Sequence, residues 1–299
     1  MIKHFTKKAI NKLIENLGYE IKLKNINQEK SDFKKANLLL YNKYFSEESI
    51  KLRRFYNVGA GSFRHFAWTN IDKLTDWYKS VQKGDNFVID HDLSSLEKLP
   101  VETGTAEVFY TSHTIEHISD IAAKNLFQEV YRSLKLNGVF RITCPDIDLD
   151  YAAYLRNDED YFSFARSPRK MHNKDLDPLN ISNAQAFIWH IAANVSINHR
   201  DGCMQPINDE ELKQIITSYS KEEALNHICS RVNLDKQVIY PGNHMNWWNV
   251  EKITRFLSEV GFAQIYQSAY GQSRCPILRD LNLFDNTRPK LSCYVEAIK

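Results

Sequence analysis

The chain has 299 residues, room for two domains of about 150 residues or for one α/β domain carrying a large insertion. With 43% hydrophobic and 25% charged residues, 10 Gly and 8 Pro, its composition excludes the disordered, collagen-like and disulfide-stapled classes. Lys plus Arg at 39 against Asp plus Glu at 37 leave a net charge of +2, which argues against a nucleic-acid partner, and no apolar run approaches the roughly 18 residues of a membrane span.

Residues 1–24 place Ile2, Phe5, Ala9, Leu13 and Leu17 at helical spacing among lysines, which predicts a basic amphipathic helix docked on the main body, with a membrane-surface helix as the alternative. The same segment lacks the apolar block and cleavage site of a secretory signal, so a cytoplasmic location is expected. Helix signals continue to about Ile50, and a strand over Phe55–Val58 then stops at Gly59-Ala60-Gly61. Further strands are predicted over 68–72, 86–90, 107–111, 139–144, 263–269 and 292–297. Between them, Ile121, Leu126, Val130 and Leu134 trace an apolar stripe on a helix over 119–136 that Asn137-Gly138 would stop. Strands alternating with helices imply an α/β fold with a mostly parallel sheet covered on both faces. A helix over 250–260, closed by Gly261, is followed by two strands with no helix between them, which predicts an antiparallel C-terminal strand pair.

Residues 147–245 break the alternation with acidic and aromatic clusters, an apolar stretch over 186–193 and helices near 209–219 and 221–232. A block of this length reads as a helical insertion that shapes a substrate pocket. The expected organisation is a helical extension over 1–50, a ligand-binding half over 51–146, the insertion over 147–245, and a helix and strand pair over 246–299 that complete the first domain. Cys144, Cys203, Cys229, Cys275 and Cys293 form no C-x-x-C pair, which argues against a disulfide framework or a cysteine-zinc site and for buried thiols.

A strand ending in Gly-x-Gly lets the backbone approach a ligand and aims free N–H groups at it. A dinucleotide fingerprint would need a third glycine where Arg64 stands, so a nicotinamide cofactor is disfavoured. Asp72 ends the next strand, where its carboxylate can accept from two ribose hydroxyls, and Asp90 and Asp92 follow the third, within reach of an adenine amino group. A lone aspartate at such a place is more often a helix cap or turn acceptor, and three of them after one glycine turn shift that balance. His113-Thr114-Ile115-Glu116-His117 lies at the carboxyl edge of the fourth strand, where α/β sheets bind ligands. His117 is the candidate base, with Glu116 orienting it or anchoring the loop, and His244 is expected to face the same pocket. The run Asp146, Asp148, Asp150 fails as a calcium loop because its sixth position is Tyr151 and its twelfth Asn157. Arg274, Arg279 and Arg288 offer guanidiniums for an acidic group, with pairing to Asp280 and Asp285 as the structural alternative. Trp247 and Trp248 are candidate stacking platforms or core.

Asn57-Val58-Gly59-Ala60-Gly61, Trp68-Thr69-Asn70-Ile71-Asp72, Asp92-Leu93, Ser112-His113-Thr114-Ile115-Glu116-His117 and Arg132-Ser133-Leu134-Lys135-Leu136-Asn137-Gly138 follow one another in an order that resembles class I S-adenosylmethionine-dependent methyltransferases. More narrowly, the motifs resemble the small bacterial members linked to surface-polysaccharide modification. The resemblance covers 55–146 well and 240–299 loosely. It implies a Rossmann-like, seven-stranded sheet and S-adenosylmethionine as cofactor. Gly59, Ala60 and Gly61 would face its methionine moiety, Asp72 the ribose, and Asp92 with Leu93 the adenine, with His113 beside them. The implied catalytic residues are His117, Glu116 and His244. RNA 3′-end and quinone-pathway methyltransferases hold a divalent ion with a Glu-x-x-Glu-His pattern, in which His113 here replaces the first glutamate. Metal binding by His113, Glu116, His117 and His244 is left open. With one carboxylate among the four, the sequence favours a proton-acceptor role and activity that survives chelation.

The expected activity is methyl transfer to an oxygen, less readily a nitrogen, of a small sugar-containing or phosphorylated acceptor, in surface-polysaccharide biosynthesis. The alternatives are a catalytically silent cofactor-binding subunit and a metal-dependent RNA methyltransferase.

Overall fold

In a computed structural model that describes residues 26–78, 82, 88–167, 171–199 and 205–299, seven strands form one sheet. They are β1 (Phe55–Val58), β2 (Trp68–Asp72), β3 (Val88–Asp90), β4 (Ala106–Ser112), β5 (Leu134–Pro145), β6 (Gln264–Gln267) and β7 (Ser292–Ile298), in the order β3-β2-β1-β4-β5-β7-β6. Neighbours from β3 through β5 run parallel, and β7 runs antiparallel to both β5 and β6. This is the Rossmann-like mixed sheet expected from the sequence. Because β1 to β4 are parallel, Gly59, Asp72, Asp92 and His113 all leave the sheet at one carboxyl edge.

The α-helices among the described residues are α1 (Ile26–Tyr44), α2 (Glu47–Lys51), α3 (Asp120–Ser133), α4 (Ile147–Leu155), α5 (Asn183–Ile191), α6 (Asp209–Ser218), α7 (Lys221–Ser230), α8 (Leu234–Ile239) and α9 (Val250–Glu259). The chain divides into two units, residues 1–46, which hold α1, and residues 47–299, which hold everything else. The amphipathic helix expected over 1–24 and Cys203 lie outside the described residues. No helix among the described residues is long and apolar enough to cross a membrane.

The sheet and its flanking helices α3 and α9 share one hydrophobic core that includes Val58, Phe109, Phe127, Phe140, Ile253 and Val295. Each buried phenylalanine there contributes about 1.5–3 kcal/mol. Residues 147–245 carry a second core around Phe162, Phe187, Ile188, Leu212 and Leu225. Tyr151 and Tyr154 pack on Phe187 in that core. Cys144, Cys275 and Cys293 are buried, Cys229 is partly so, and the sulfurs of Cys144 and Cys293 stand 3.6 Å apart across β5 and β7.

Two local expectations are corrected. The helix predicted over 119–136 ends at Ser133, because Leu134 is already extended and opens β5 opposite Ala106. Its buried stripe also runs through Ala122, Ala123, Leu126, Phe127 and Val130, while Ile121 is 69% exposed. Ser119 caps the helix by accepting from the Ala122 N–H, which sets the phase of the first turn.

Candidate active site

Gly59 and Gly61, with φ of +68° and +50°, turn the chain sharply out of β1 in the left-handed region that favours glycine. The Gly61 N–H points at the end of β2 and donates to Asp72 Oδ2 at 2.8 Å. Burial raises the pKa of Asp72, and this N–H offsets part of the rise. Asp92 follows β3, caps the turn Leu93–Ser95 by accepting from the Ser94 N–H, and pairs with Lys73 Nζ at 2.5 Å. Burial raises its pKa, but Lys73 and the Ser94 N–H outweigh that and hold the carboxyl below the usual range. Asp90 accepts from the Leu74 N–H and so has a turn role.

Gly59, Gly61, Asp72 and Asp92, but not Asp90, line one cavity of about 1120 Å³. Its walls include Gly59, Ala60, Gly61, Asp72, Asp92, Leu93, His113 and His117, and residues 147–245 reach it with Gln237, Val238, Pro241, Gly242 and Met245. Among the described residues, Arg64 and Lys73 are its lining Lys and Arg side chains; Arg64 donates to the carbonyls of Gly61 and Phe63, and Lys73 is held by Asp92.

Beyond β4 the chain makes a single helical turn over Ile115–His117 that buries Glu116 to 1% exposure. The segment 243–246 is fastened to this turn from more than a hundred residues away. Met245 and Asn246 donate their N–H groups to the Glu116 carbonyl at 2.9 and 3.2 Å, and the Trp248 indole donates to the Ile115 carbonyl at 2.9 Å. Lys252, buried against both Trp247 and Trp248, donates to Asn246 Oδ1 and pairs with Asp120. The two tryptophans are therefore core and anchor, and not platforms for a ring.

This clamp brings the His117 and His244 rings to 4.8 Å between centroids. His117 Nδ1 donates to the Asn243 carbonyl at 3.0 Å, and His244 Nδ1 donates to the His190 carbonyl. A carbonyl only accepts, so both Nδ1 atoms carry hydrogen and both Nε2 atoms are the free positions. Burial, with His117 nearby, holds the His244 imidazole well below its ordinary pKa and hence neutral at pH 7. Burial pushes the Glu116 pKa up, but His113, His117 and His244 outweigh it and bring it to about 2. His113 lines the cavity, yet its Nε2 meets Ser292 Oγ at 2.8 Å and its Nδ1 stands 3.2 Å from Glu116 Oε1. Glu116 and His244 face a separate void of about 10 Å³ that Asp150 and His190 also line, so His117 belongs to the cavity wall and its partners lie behind it.

Sequence reasoning missed Ser292, Asp150 and His190. Asp150 accepts from the Tyr161 hydroxyl and from His190 Nδ1, both at 2.6 Å, and Asp146 caps α4. The structural alternative for the C-terminal arginines, pairing with Asp285, is corrected, since Asp285 pairs with Arg141 of β5.

No protein-family model matches the chain, and no curated protein matches it. Among solved structures, an S-adenosylmethionine-dependent methyltransferase from Mesorhizobium loti is 14% identical, with a TM-score of 0.38 over 82% of this chain and 90% of that one. A possible histamine N-methyltransferase from Thermotoga maritima is 10% identical, with a TM-score of 0.40 over 92% of this chain and 96% of that one. Phosphoethanolamine N-methyltransferase 2 from Haemonchus contortus, in complex with S-adenosyl-L-methionine, is 13% identical, with a TM-score of 0.36 over 89% of this chain and 52% of that one. At such identities the similarity assigns no residue.

Proposed function

We propose that the chain is an S-adenosylmethionine-dependent methyltransferase acting on an oxygen of a small, sugar-containing acceptor. The observation that carries this reading is the convergence, on one cavity at the carboxyl edge of a mostly parallel sheet, of a positive-φ glycine turn and two strand-end aspartates. Gly59 to Gly61 present backbone to the methionine moiety, Asp72 accepts from the ribose hydroxyls, and Asp92 with Leu93 borders the adenine. The cofactor supplies an activated methyl group, and the protein supplies alignment with the nucleophile. The cavity wall that contains His117 is where the acceptor hydroxyl loses its proton, and the Glu116–His117–His244 group activates it there.

Residues 147–245 shape the acceptor side through Gln237, Val238, Pro241 and Met245. Asn282, Asn286 and Thr287 add neutral amide and hydroxyl groups that suit a sugar. The engagement of Arg64 and Lys73 by groups of the chain itself weighs against a phosphate on the acceptor. Calorimetry with S-adenosylmethionine and its demethylated product tests the reading. Micromolar binding of either, followed by cofactor turnover with hydroxylated acceptors, supports it; binding of neither overturns it. Binding with no turnover on any acceptor would favour a silent cofactor-binding subunit.

A further inference from the structure

Three atoms that can each donate a lone pair converge behind the cavity wall. Glu116, His117 and His244 each offer a ligand atom within 4.8 Å of the others, and the Nε2 of each histidine is 3.9 Å from Glu116 Oε1. Those separations are too long for imidazole-to-carboxylate hydrogen bonds, which close to about 2.7–2.9 Å when the ring is charged. Both oxygens of Glu116 are buried, and among the described residues the polar group beside them is His113 Nδ1, 3.2 Å from Oε1. Both rings have their Nδ1 hydrogens tied to backbone carbonyls, so each turns its Nε2 toward the carboxylate. A metal ion between the three atoms would compensate the buried carboxylate.

Ligand atoms around a divalent ion with bonds of about 2.0–2.2 Å stand about 3.0–3.4 Å apart, so side-chain movements of well under about 1 Å complete the geometry. The surroundings have the form of a supporting shell around a metal. The Asn243 carbonyl that holds His117 is itself held by Gln237 Nε2 at 2.7 Å, and Asn243 Nδ2 donates to Asn194 at 2.9 Å. The ring of His190, whose carbonyl holds His244, is fixed by Asp150.

We propose that Glu116, His117 and His244 bind a divalent transition-metal ion. Two neutral imidazoles and one carboxylate form the donor set that suits zinc, manganese, iron or cobalt, whereas magnesium is served by oxygen donors. His113, left open from the sequence as a fourth ligand, stays outside the set and lies between Ser292 and the carboxylate. An ion held here would lie beside His117, the member of the set that lines the cavity, and would supply a Lewis acid able to lower the pKa of a nearby hydroxyl. The inference deepens the methyltransferase reading at the same site but rests on it only for the identity of that hydroxyl. It reverses the expectation that activity survives chelation.

The test uses the full chain, stripped by dialysis against chelator and titrated with cobalt(II), zinc(II), manganese(II) and magnesium(II). One cobalt ion per chain should bind, with the visible absorption of a nitrogen- and oxygen-ligated site, and magnesium should bind more weakly. Glu116→Gln and His244→Gln should weaken cobalt binding at least about tenfold, while His227→Gln, at an exposed position on α7, should not. Circular dichroism confirms that each variant is folded, and His117→Gln replaces any that is not. Absence of saturable binding, or equal binding by the Glu116 and His244 variants and the wild type, overturns the proposal. S-Adenosylmethionine calorimetry on the same samples separates the two readings. A cobalt site without cofactor binding sinks the methyltransferase and leaves the metal, and cofactor binding without a cobalt site does the reverse.

Discussion

A Cβ placed on Gly59 would lie 2.1 Å from Oγ1 of Thr114, so the glycine turn after β1 and the turn that carries Glu116 and His117 are in direct contact. Thr114 in turn reaches the Val58 carbonyl through its hydroxyl at 3.3 Å. The cofactor side and the histidine side of the cavity are thereby fixed relative to each other by one missing side chain.

Gly59→Ala and Gly61→Ala should consequently behave differently. Both positions have positive φ, which costs an alanine about 1–2 kcal/mol, but around Gly61 there is nothing within 4 Å for a methyl group to strike. At Gly59 the clash with Thr114 adds about 1–3 kcal/mol of overpacking. Urea denaturation should rank Gly59→Ala well below Gly61→Ala, and calorimetry should find cofactor binding impaired more in the former. Equal stability of the two variants would show that the contact with Thr114 is slack.

Asp72 offers a second test, because its carboxylate already accepts from the Gly61 N–H and still faces the cavity. Replacing it with Ala should weaken cofactor binding at least tenfold, or about 1.4 kcal/mol. Burial raises its pKa, so the accepting form is lost at a higher pH than for an exposed aspartate. Cofactor affinity should fall as the pH is lowered through that raised value, and Asp72→Asn should lack this acid limb. Calorimetry at stepped pH reads both effects.

The legible parts of this site are those written in short-range chemistry. Asp72 ends a strand and Gly59, Gly61, Asp92 and His117 each follow one within a few residues, and turn residues and strand ends announce themselves locally. His190 and Ser292 were not legible, since they meet His244 and His113 across 54 and 179 residues and nothing near them in sequence marks the meeting. The end of α3 was misplaced for a related reason. Leu134 continues the helical spacing of apolar residues, yet pairing with Ala106 draws it into β5, and tertiary pairing overrides local periodicity.

Arg141 shows the same limit and supports a prediction about stability. It sits fully buried in β5, bonded to Asp285 through Nε and Nη2 at 3.0 and 2.5 Å and to Glu296 through Nη1 at 2.8 Å. Breaking such a network from one side leaves buried charge uncompensated, which costs about 3–5 kcal/mol. Arg141→Met should accordingly unfold at much lower urea concentration than the wild type. Recovery of most of that loss when Asp285→Asn is added would show that the stranded carboxylate, and not lost packing, is responsible.

The last prediction concerns His65, whose partial burial, reinforced by the charge of Arg53, lowers its pKa from 6.5 to about 4. The folded chain therefore resists a proton that the unfolded chain accepts readily between those two values. By linkage, the contribution to stability is fully present above pH 6.5, falls as the pH drops through 6.5, and levels off near pH 4. A shift of this size corresponds to about 3 kcal/mol at most. His65→Gln keeps a polar side chain but removes the titration, so the stability difference between wild type and variant should move toward the variant as the pH falls from 7.5 to 4.5. Urea denaturation of both proteins across that range isolates the effect, because every other titrating group is common to the two. A difference that stays flat with pH would mean that His65 takes up its proton as easily in the folded chain as in the unfolded one.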